Sequence, residues 1–164
     1  MRDFKNRGFR IAESSSEVKL AYTGYLIFAF LGYLTFILIS LLRIGPGYHD
    51  IVTHYRGSGA EDAFPRAFGQ MLEEVHFHTF IEGVTLLVLT HLFIATSLKR
   101  SIKLGTILLA FSFTLTDLAS PWLVRYVAPG FALLQIVSWI VMCTTALVMI
   151  GIPLYEMWCV GGGK

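Results

Sequence analysis

Charge is scarce in this chain of 164 residues: only 15% are Asp, Glu, Lys or Arg, and 55% are hydrophobic. A water-soluble domain usually contains about a quarter charged residues, so the composition points away from a soluble protein. The formal net charge of +2 gives no reason to expect nucleic-acid binding, because the basic residues cluster beside the ends of apolar runs. The composition is that of a protein embedded in a lipid bilayer.

Cysteine is also scarce. The two cysteines, Cys143 and Cys159, are too few for a disulfide framework, and no Cys-x-x-Cys-His segment is present to attach a c-type haem covalently. The sequence likewise has no nucleophile elbow, phosphate-binding loop or zinc-protease motif. Bond-cleaving catalysis is therefore not expected. The most that the sequence predicts of an enzyme is a redox subunit of an oxidoreductase complex.

Long apolar runs fill most of the chain. Residues 20–42 and 131–155 hold no charged residue, and each run is long enough to cross the hydrocarbon core of a bilayer. Residues 75–97 and 104–123 are similar runs, interrupted only by a few ionisable side chains. We therefore predict a single domain over residues 1–164, an all-α, four-helix transmembrane bundle. The predicted helices lie at about 17–43, 67–98, 103–127 and 130–158, with an outer loop at 44–66.

Basic residues predict the orientation of this bundle. The N-terminal segment is basic, and the connection between the second and third helices holds Lys99, Arg100 and Lys103. Since cytoplasmic loops carry an excess of Lys and Arg, both termini are predicted in the cytoplasm. The predicted location is the bacterial inner membrane, as a multi-pass protein. No small-residue cleavage site follows the N-terminal segment, so no cleaved signal peptide is expected.

The second helix carries ionisable groups at membrane depth. At about 100° per residue, Glu74, His78 and Glu82 fall on one stripe, and His76 and His91 lie on another side. Each such group costs several kcal/mol unless it is paired, hydrated or bound to a metal. The first histidines lie in the outer leaflet and His91 roughly 20 Å below them, at about 1.5 Å per residue. A haem, a metal ion or a proton path would explain the cluster.

Haem b is the first interpretation, because imidazole is a common axial ligand of haem iron. His76, His78 and His91 are the candidate ligands on the second helix, but the other three predicted helices contain no histidine. The opposing ligands are expected from the outer loop, the fourth helix or another protomer, namely His49, His54, Met142, Met149 or a symmetry mate. Haem propionates need cations, for which the candidates are Arg56 and Arg125.

A bound metal ion is the second interpretation. Glu74, His78 and Glu82, with an outer-loop histidine or Asp50, offer the nitrogen and oxygen ligands that copper, iron or zinc take in proteins. On the third helix, Pro121 removes the hydrogen bond to the Asp117 carbonyl and predicts a kink. Asp117 is expected to pair with a histidine or Arg125, unless it is protonated and the kink is satisfied by Ser and Thr hydroxyls.

Four segments carry a family resemblance: Asp50-Ile51-Val52-x-x-Tyr55-Arg56-Gly57, Pro65-x-x-Phe68, Leu72-Glu73-x-x-His76-x-His78 and His91-Leu92-Phe93. In these segments the chain resembles an uncharacterised bacterial family of four-helix membrane proteins found near cytochrome genes. In its histidine spacing along one helix it also resembles transmembrane b-type cytochromes. The resemblance implies electron transfer.

The predicted function is therefore a membrane electron-transfer subunit that binds b-type haem. It would link the quinone pool and outer-side periplasmic cytochromes within a larger respiratory complex. The expected partners are the lipid bilayer and either other membrane subunits or a second copy of the chain. The alternative is a non-catalytic scaffold or assembly subunit whose histidines serve packing.

Overall fold

The computed structural model describes residues 10–59 and 63–160, whose regular elements are helices. The five α-helices are α1 (Ser16–Arg43), α2 (Tyr48–Arg56), α3 (Phe68–Ile94), α4 (Arg100–Tyr126) and α5 (Phe131–Tyr155). A 3-10 turn at Ile11–Glu13 precedes α1, and a π-helical turn at Glu156–Val160 continues α5. Four helices, α1, α3, α4 and α5, are long and apolar enough to cross a membrane. The predicted all-α, four-helix membrane bundle is confirmed.

The connection between the first two spans, which we call the outer connection after its predicted side, contains the short helix α2. The Gly47 backbone N–H donates to Asp50 Oδ2 at 3.0 Å where the helix begins. Gly57 ends it at a φ of 78°, a conformation that glycine adopts without strain. Ile51 and Tyr55 are spaced four residues apart and point inward at 0% and 3% exposure. The predicted outer loop is therefore a packed helical cap.

The cap is held against the outer ends of three spans. Ile51 and Tyr55 form a buried cluster with Met71 of α3, Val124 of α4 and Ala132 of α5. This packing fixes the position of α2 relative to the bundle. It also brings α2 into contact with the second span, α3. The sequence alone does not reveal this proximity.

The opposite end of the bundle is closed by the N-terminal segment. The Ile11 backbone N–H donates to the Ala95 carbonyl at 3.0 Å. The Ile11 side chain is fully buried in a cluster that includes Phe93 and Met157. Residues 10–13 and the turn after α5 therefore lie at the same end, as an even number of spans requires. The basic residues before Arg10, which contribute to the predicted orientation, lie outside the described residues.

Span α3 ends at Ile94, four residues before the predicted limit of 98. Two long-range interactions explain the early end. Lys103 Nζ donates to the carbonyls of Ile94 and Thr96, which closes the last turn. Beyond it, the Ser97 backbone N–H and hydroxyl donate to the buried carboxylate of Glu156 at 2.7–2.9 Å. The chain then turns at once into α4, which begins at Arg100.

The helices do not pack evenly around the bundle. Helices α4 and α5 are antiparallel neighbours along their length, and α1 packs chiefly against α5. Between α1 and α3 the outer half is open, although the Tyr25 hydroxyl donates to the Thr85 carbonyl at 2.8 Å near the middle of the two spans. The opening between α1 and α3 forms a cavity.

Candidate functional site

The outer half of the bundle contains a cavity of about 880 Å³, which we call the outer cavity. Its walls are α1 and α3, and the cap contributes at its outer end. Phe28 of α1 and Phe77 of α3 line it although they are 76% and 64% exposed on the bundle surface. The cavity therefore opens sideways, between two spans, toward the lipid.

His78 is the histidine of α3 that lines the outer cavity. Its Nδ1 atom lies 3.4 Å from Oε1 of Glu82, one turn further along the helix. The rings of Phe36 and Phe77 contact its imidazole edge-on, with centroids 6.2 and 6.3 Å away. The carboxylate and the rings together orient the imidazole, and Nε2 is the ring nitrogen left to bind a ligand.

His54 of the cap lines the same cavity. Its ring meets the Tyr55 ring edge-on at a centroid distance of 4.8 Å, and the Arg43 backbone is near enough to act on its pKa. Burial lowers the pKa of His54 below its ordinary value, and the nearby positive charge of Arg66 lowers it further. This shift favours the neutral imidazole, which is the form that binds metals.

Two cations that the sequence analysis missed lie at the outer cavity. Arg43 and Arg66 both line it, and Arg66 Nη2 contacts Glu74 Oε2 at 3.1 Å. The available signal for Arg43 was its place in the last turn of α1, at the outer end of a span. No local pattern distinguishes Arg66 from the other arginines of the outer connection.

The arginines that the sequence analysis chose instead bind backbone carbonyls. Arg56 Nη1 donates to the Val124 carbonyl at 2.9 Å, near the end of α4. Arg125 Nε donates to the Arg66 carbonyl at 3.3 Å, and its guanidinium lies 5.4 Å from the centre of the Tyr126 ring. Neither arginine lines the outer cavity. Both fasten the outer connection to α4.

The three remaining histidines lie apart from the cavity. His76 is exposed on the bundle surface, since two residues along a helix turn it about 200° away from His78. His91 is exposed, and its Nδ1 lies 2.7 Å from the Leu87 carbonyl in its own helix. His49 lies exposed near the beginning of α2. Of the five histidines, His54 and His78 are the two that line the outer cavity.

The remaining predicted ligands differ in whether they line the outer cavity and in which partner they contact. Met142 of α5 lines the outer cavity, whereas Met149 is buried in the apolar core. Glu74 of the predicted metal site is paired with Arg66, and Glu82 with His78. Within residues 10–59 and 63–160, no three His, Cys, Asp or Glu side chains group as a metal site would require. Glu73, Glu74 and Glu82 line the outer cavity together with the two histidines, and the metal site stays a prediction.

A smaller chamber of about 60 Å³ lies behind His78, on the side of α4 and α5. Asp117 lines it, and the Ser120 hydroxyl donates to the Asp117 carbonyl at 3.2 Å, in place of the N–H that Pro121 lacks. Gln135 Nε2 donates to the Tyr55 hydroxyl at 3.3 Å, and burial raises the pKa of that tyrosine. The Ser120 hydroxyl is one part of the alternative interpretation of this site, whereas Arg125 contacts the Arg66 carbonyl instead of Asp117. The protonation of Asp117 stays a prediction.

Four membrane-crossing helices with a capped outer cavity define a multi-pass helical membrane protein. A family model described as a transmembrane helical domain (Aq_1264_TM) matches residues 45–162, and the chain belongs to this family. The match begins after α1 and contains every site residue predicted from the sequence. No curated protein and no solved structure matches the chain. The predicted link to cytochrome genes stays a prediction.

Proposed function

We propose that the chain is a membrane electron-transfer subunit that binds one b-type haem in the outer cavity. The observation that carries the proposal is that His54 and His78, on different helices, line one cavity. Two imidazoles from two elements are what bis-histidine ligation of haem iron requires. A bound haem would supply a one-electron redox centre in the outer half of the membrane.

Each histidine has the second partner that metal-binding histidines usually have. A ligating imidazole commonly donates its other ring N–H to a carboxylate or a backbone carbonyl, which fixes its tautomer and orientation. His78 has the Glu82 carboxylate in this role, and His54 has the Arg43 backbone. These partners support the assignment of His54 and His78 as axial ligands.

The rest of the cavity suits an amphipathic cofactor. Its volume of about 880 Å³ lies within the ~300–1,000 Å³ of typical small-molecule sites. Apolar side chains of α1 and α3 line most of it, and Arg43 and Arg66 lie near its outer end. These arginines could bind carboxylates through charge-assisted hydrogen bonds, as the two propionates of haem require.

We further propose the setting in which this subunit works. The cavity lies in the half of the bundle away from the basic end, and that end is cytoplasmic under the positive-inside rule. An acceptor on the outer side, such as a periplasmic cytochrome, and a quinone donor in the bilayer fit that placement. The inferred location is a bacterial inner membrane, in a complex with other membrane subunits or a second copy. His91 is exposed and does not line the outer cavity, so the proposal does not include a second haem.

The test is the visible spectrum of the protein, purified from cells supplied with haem precursor. We expect a Soret band, and a pyridine haemochrome assay that gives one b-type haem per chain. His54→Ala and His78→Ala should each lower the haem content at least tenfold. His76→Ala is the matched control, because it removes an imidazole two residues from His78 that faces away from the cavity.

Two results would contradict the proposal. The first is a wild-type protein that is colourless and takes up no added hemin, which would favour a non-catalytic scaffold. The second is full haem content in both His54→Ala and His78→Ala. Size-exclusion chromatography of each variant separates the loss of a ligand from the loss of the fold.

A further inference from the structure

The chamber behind His78 contains buried polar oxygens that no protein group satisfies. Asp117 Oδ1 and Gln135 Oε1 are both buried without a hydrogen-bond partner, and both residues line the chamber. Their exposed fractions are only 8% and 2%. Buried polar atoms are almost always satisfied by protein or by ordered water. The chamber therefore has acceptors that still require donors.

The size of the chamber fits water. Its volume is about 60 Å³, and one water molecule occupies about 30 Å³ of liquid, so roughly two molecules fit. A buried water needs two to four polar partners. The chamber offers the Asp117 carboxyl, the Gln135 amide, the Tyr55 hydroxyl and the His78 ring. Small cavities that stay empty are instead lined by apolar groups.

The chamber adjoins the outer cavity. Five residues line both spaces, and they are Phe36, Ser40, Ile44, Glu74 and His78. Asp117 lies nine residues before the end of α4 at Tyr126, which is about 13 Å along the helix axis. Such a depth approaches the middle of a hydrocarbon core about 30 Å thick. The outer cavity and the chamber thus extend together from the outer end of the bundle nearly to its centre, with ionisable side chains of α3 and α4 along them.

We propose that this chamber is an internal water site, and that its water forms an aqueous connection from the outer cavity, past His78, to Asp117. The water donates hydrogen bonds to Asp117 Oδ1 and Gln135 Oε1, the two acceptors that the protein leaves unsatisfied. The connection is closed toward the cytoplasmic end by the apolar core around Phe93 and Met149. This inference concerns the protein chain alone and does not require a haem.

X-ray hydroxyl-radical footprinting tests the proposal on the wild-type protein, because radicals form from water beside the side chains that they oxidise. Met71 and Tyr55 line the chamber at 2% and 3% exposure. We expect both to be oxidised at least fivefold faster than residues of the same type that have the same low exposure and line no cavity. Rates are normalised to the intrinsic reactivity of each residue type.

Two buried residues serve as controls. Ile51 belongs to the same outer cluster as Met71 but does not line the chamber, so its oxidation reports breathing of the cap. Met149 lies in the apolar core and should stay unmodified. If Met71 and Tyr55 are as unreactive as Ile51 and Met149, the chamber is dry and the proposal fails. Oxidation of Ile51 equal to that of Met71 would also overturn it.

A pair of substitutions tests the part that Asp117 plays. Asp117→Leu removes the polar partner and should lower Met71 oxidation at least threefold, whereas the isosteric Asp117→Asn should leave it near the wild-type rate. Equal oxidation of Met71 in both variants would contradict the role of Asp117 in holding the water. If Asp117→Leu does not fold, the wild-type comparison with Ile51 still decides the proposal.

Discussion

At the scale of single residues, helix geometry limits what a sequence can say about a site. His76 and His78 lie about 200° apart around α3, so a single cavity beside the helix can take only one of them. The sequence predicts the His78–Glu82 pair through its four-residue spacing. It does not predict which histidine faces inward, because that depends on where the neighbouring helices pack. The same limit explains why His54 could be proposed only as one of several opposing ligands.

Protonation of His54 should make the protein less stable in acid. Burial and Arg66 hold the pKa of His54 below its ordinary value of 6.5, so the unfolded chain binds this proton more readily than the folded one. Stability therefore falls as the pH drops from about 7 through 6.5 toward the lowered pKa. We expect the thermal midpoint to fall less between pH 7.5 and pH 5.5 in His54→Gln than in wild type, as measured by intrinsic fluorescence. Equal slopes would contradict this.

The arginines of the outer connection should divide into a structural and a cofactor-related set. Arg56→Ala removes a charged donor from the Val124 carbonyl, which should cost about 1.5–3 kcal/mol of stability. Arg66→Ala breaks a partly exposed pair with Glu74, which should cost at most about 1 kcal/mol. Under the proposed function, Arg66→Ala weakens hemin binding and Arg56→Ala does not. Thermal melts and hemin titrations of both variants check this, and the reverse pattern would contradict it.

At the scale of elements, apolar length predicts the four spans well and their ends less well. The hydropathy of the spans depends only on local sequence, so every predicted span is present. The end of α3 depends on Lys103 and Glu156, which lie 9 and 59 residues from their partners. Helix α2 has only nine residues, too few for hydropathy to detect. Its available signal was the spacing of Gly47 and Asp50 at its beginning.

The contact between Glu156 and Ser97 should be a strong determinant of stability at the basic end. The carboxylate of Glu156 accepts from both the backbone N–H and the hydroxyl of Ser97. Glu156→Ala leaves that N–H without this acceptor, which should cost about 1–3 kcal/mol, whereas Ser97→Ala loses only the hydroxyl bond and should cost about 1 kcal/mol. Thermal denaturation in detergent measures both. An equal or larger loss in Ser97→Ala would contradict the assigned role of the backbone bond.

At the scale of the whole molecule, four spans place both described ends on one side, and basic residues predict which side that is. Gly59→Cys introduces a thiol on the outer connection, where a side chain meets no neighbour within 4 Å. Lys99→Cys introduces one at the basic end. In intact cells, a membrane-impermeant maleimide should label the first and not the second. Both substitutions are made in a Cys143→Ser, Cys159→Ser background, because the exposed native Cys159 lies at the basic end and would itself be labelled there.

Lysed cells should show labelling of both introduced cysteines, which confirms that each thiol is reactive. Labelling of Lys99→Cys but not Gly59→Cys in intact cells would invert the orientation. It would place the outer cavity on the cytoplasmic side and remove the periplasmic acceptor from the proposed function.

The sideways opening of the outer cavity, between α1 and α3, has a consequence for any molecule that occupies this gap. Because exposed aromatic side chains of both spans form its rim, an apolar molecule reaches it by diffusing within the plane of the bilayer. Occupancy is then governed by the mole fraction of that molecule in the lipid, not by its aqueous concentration. Adding lipid at a fixed total amount of such a molecule dilutes it in two dimensions and empties the gap, even when nothing in the surrounding water changes.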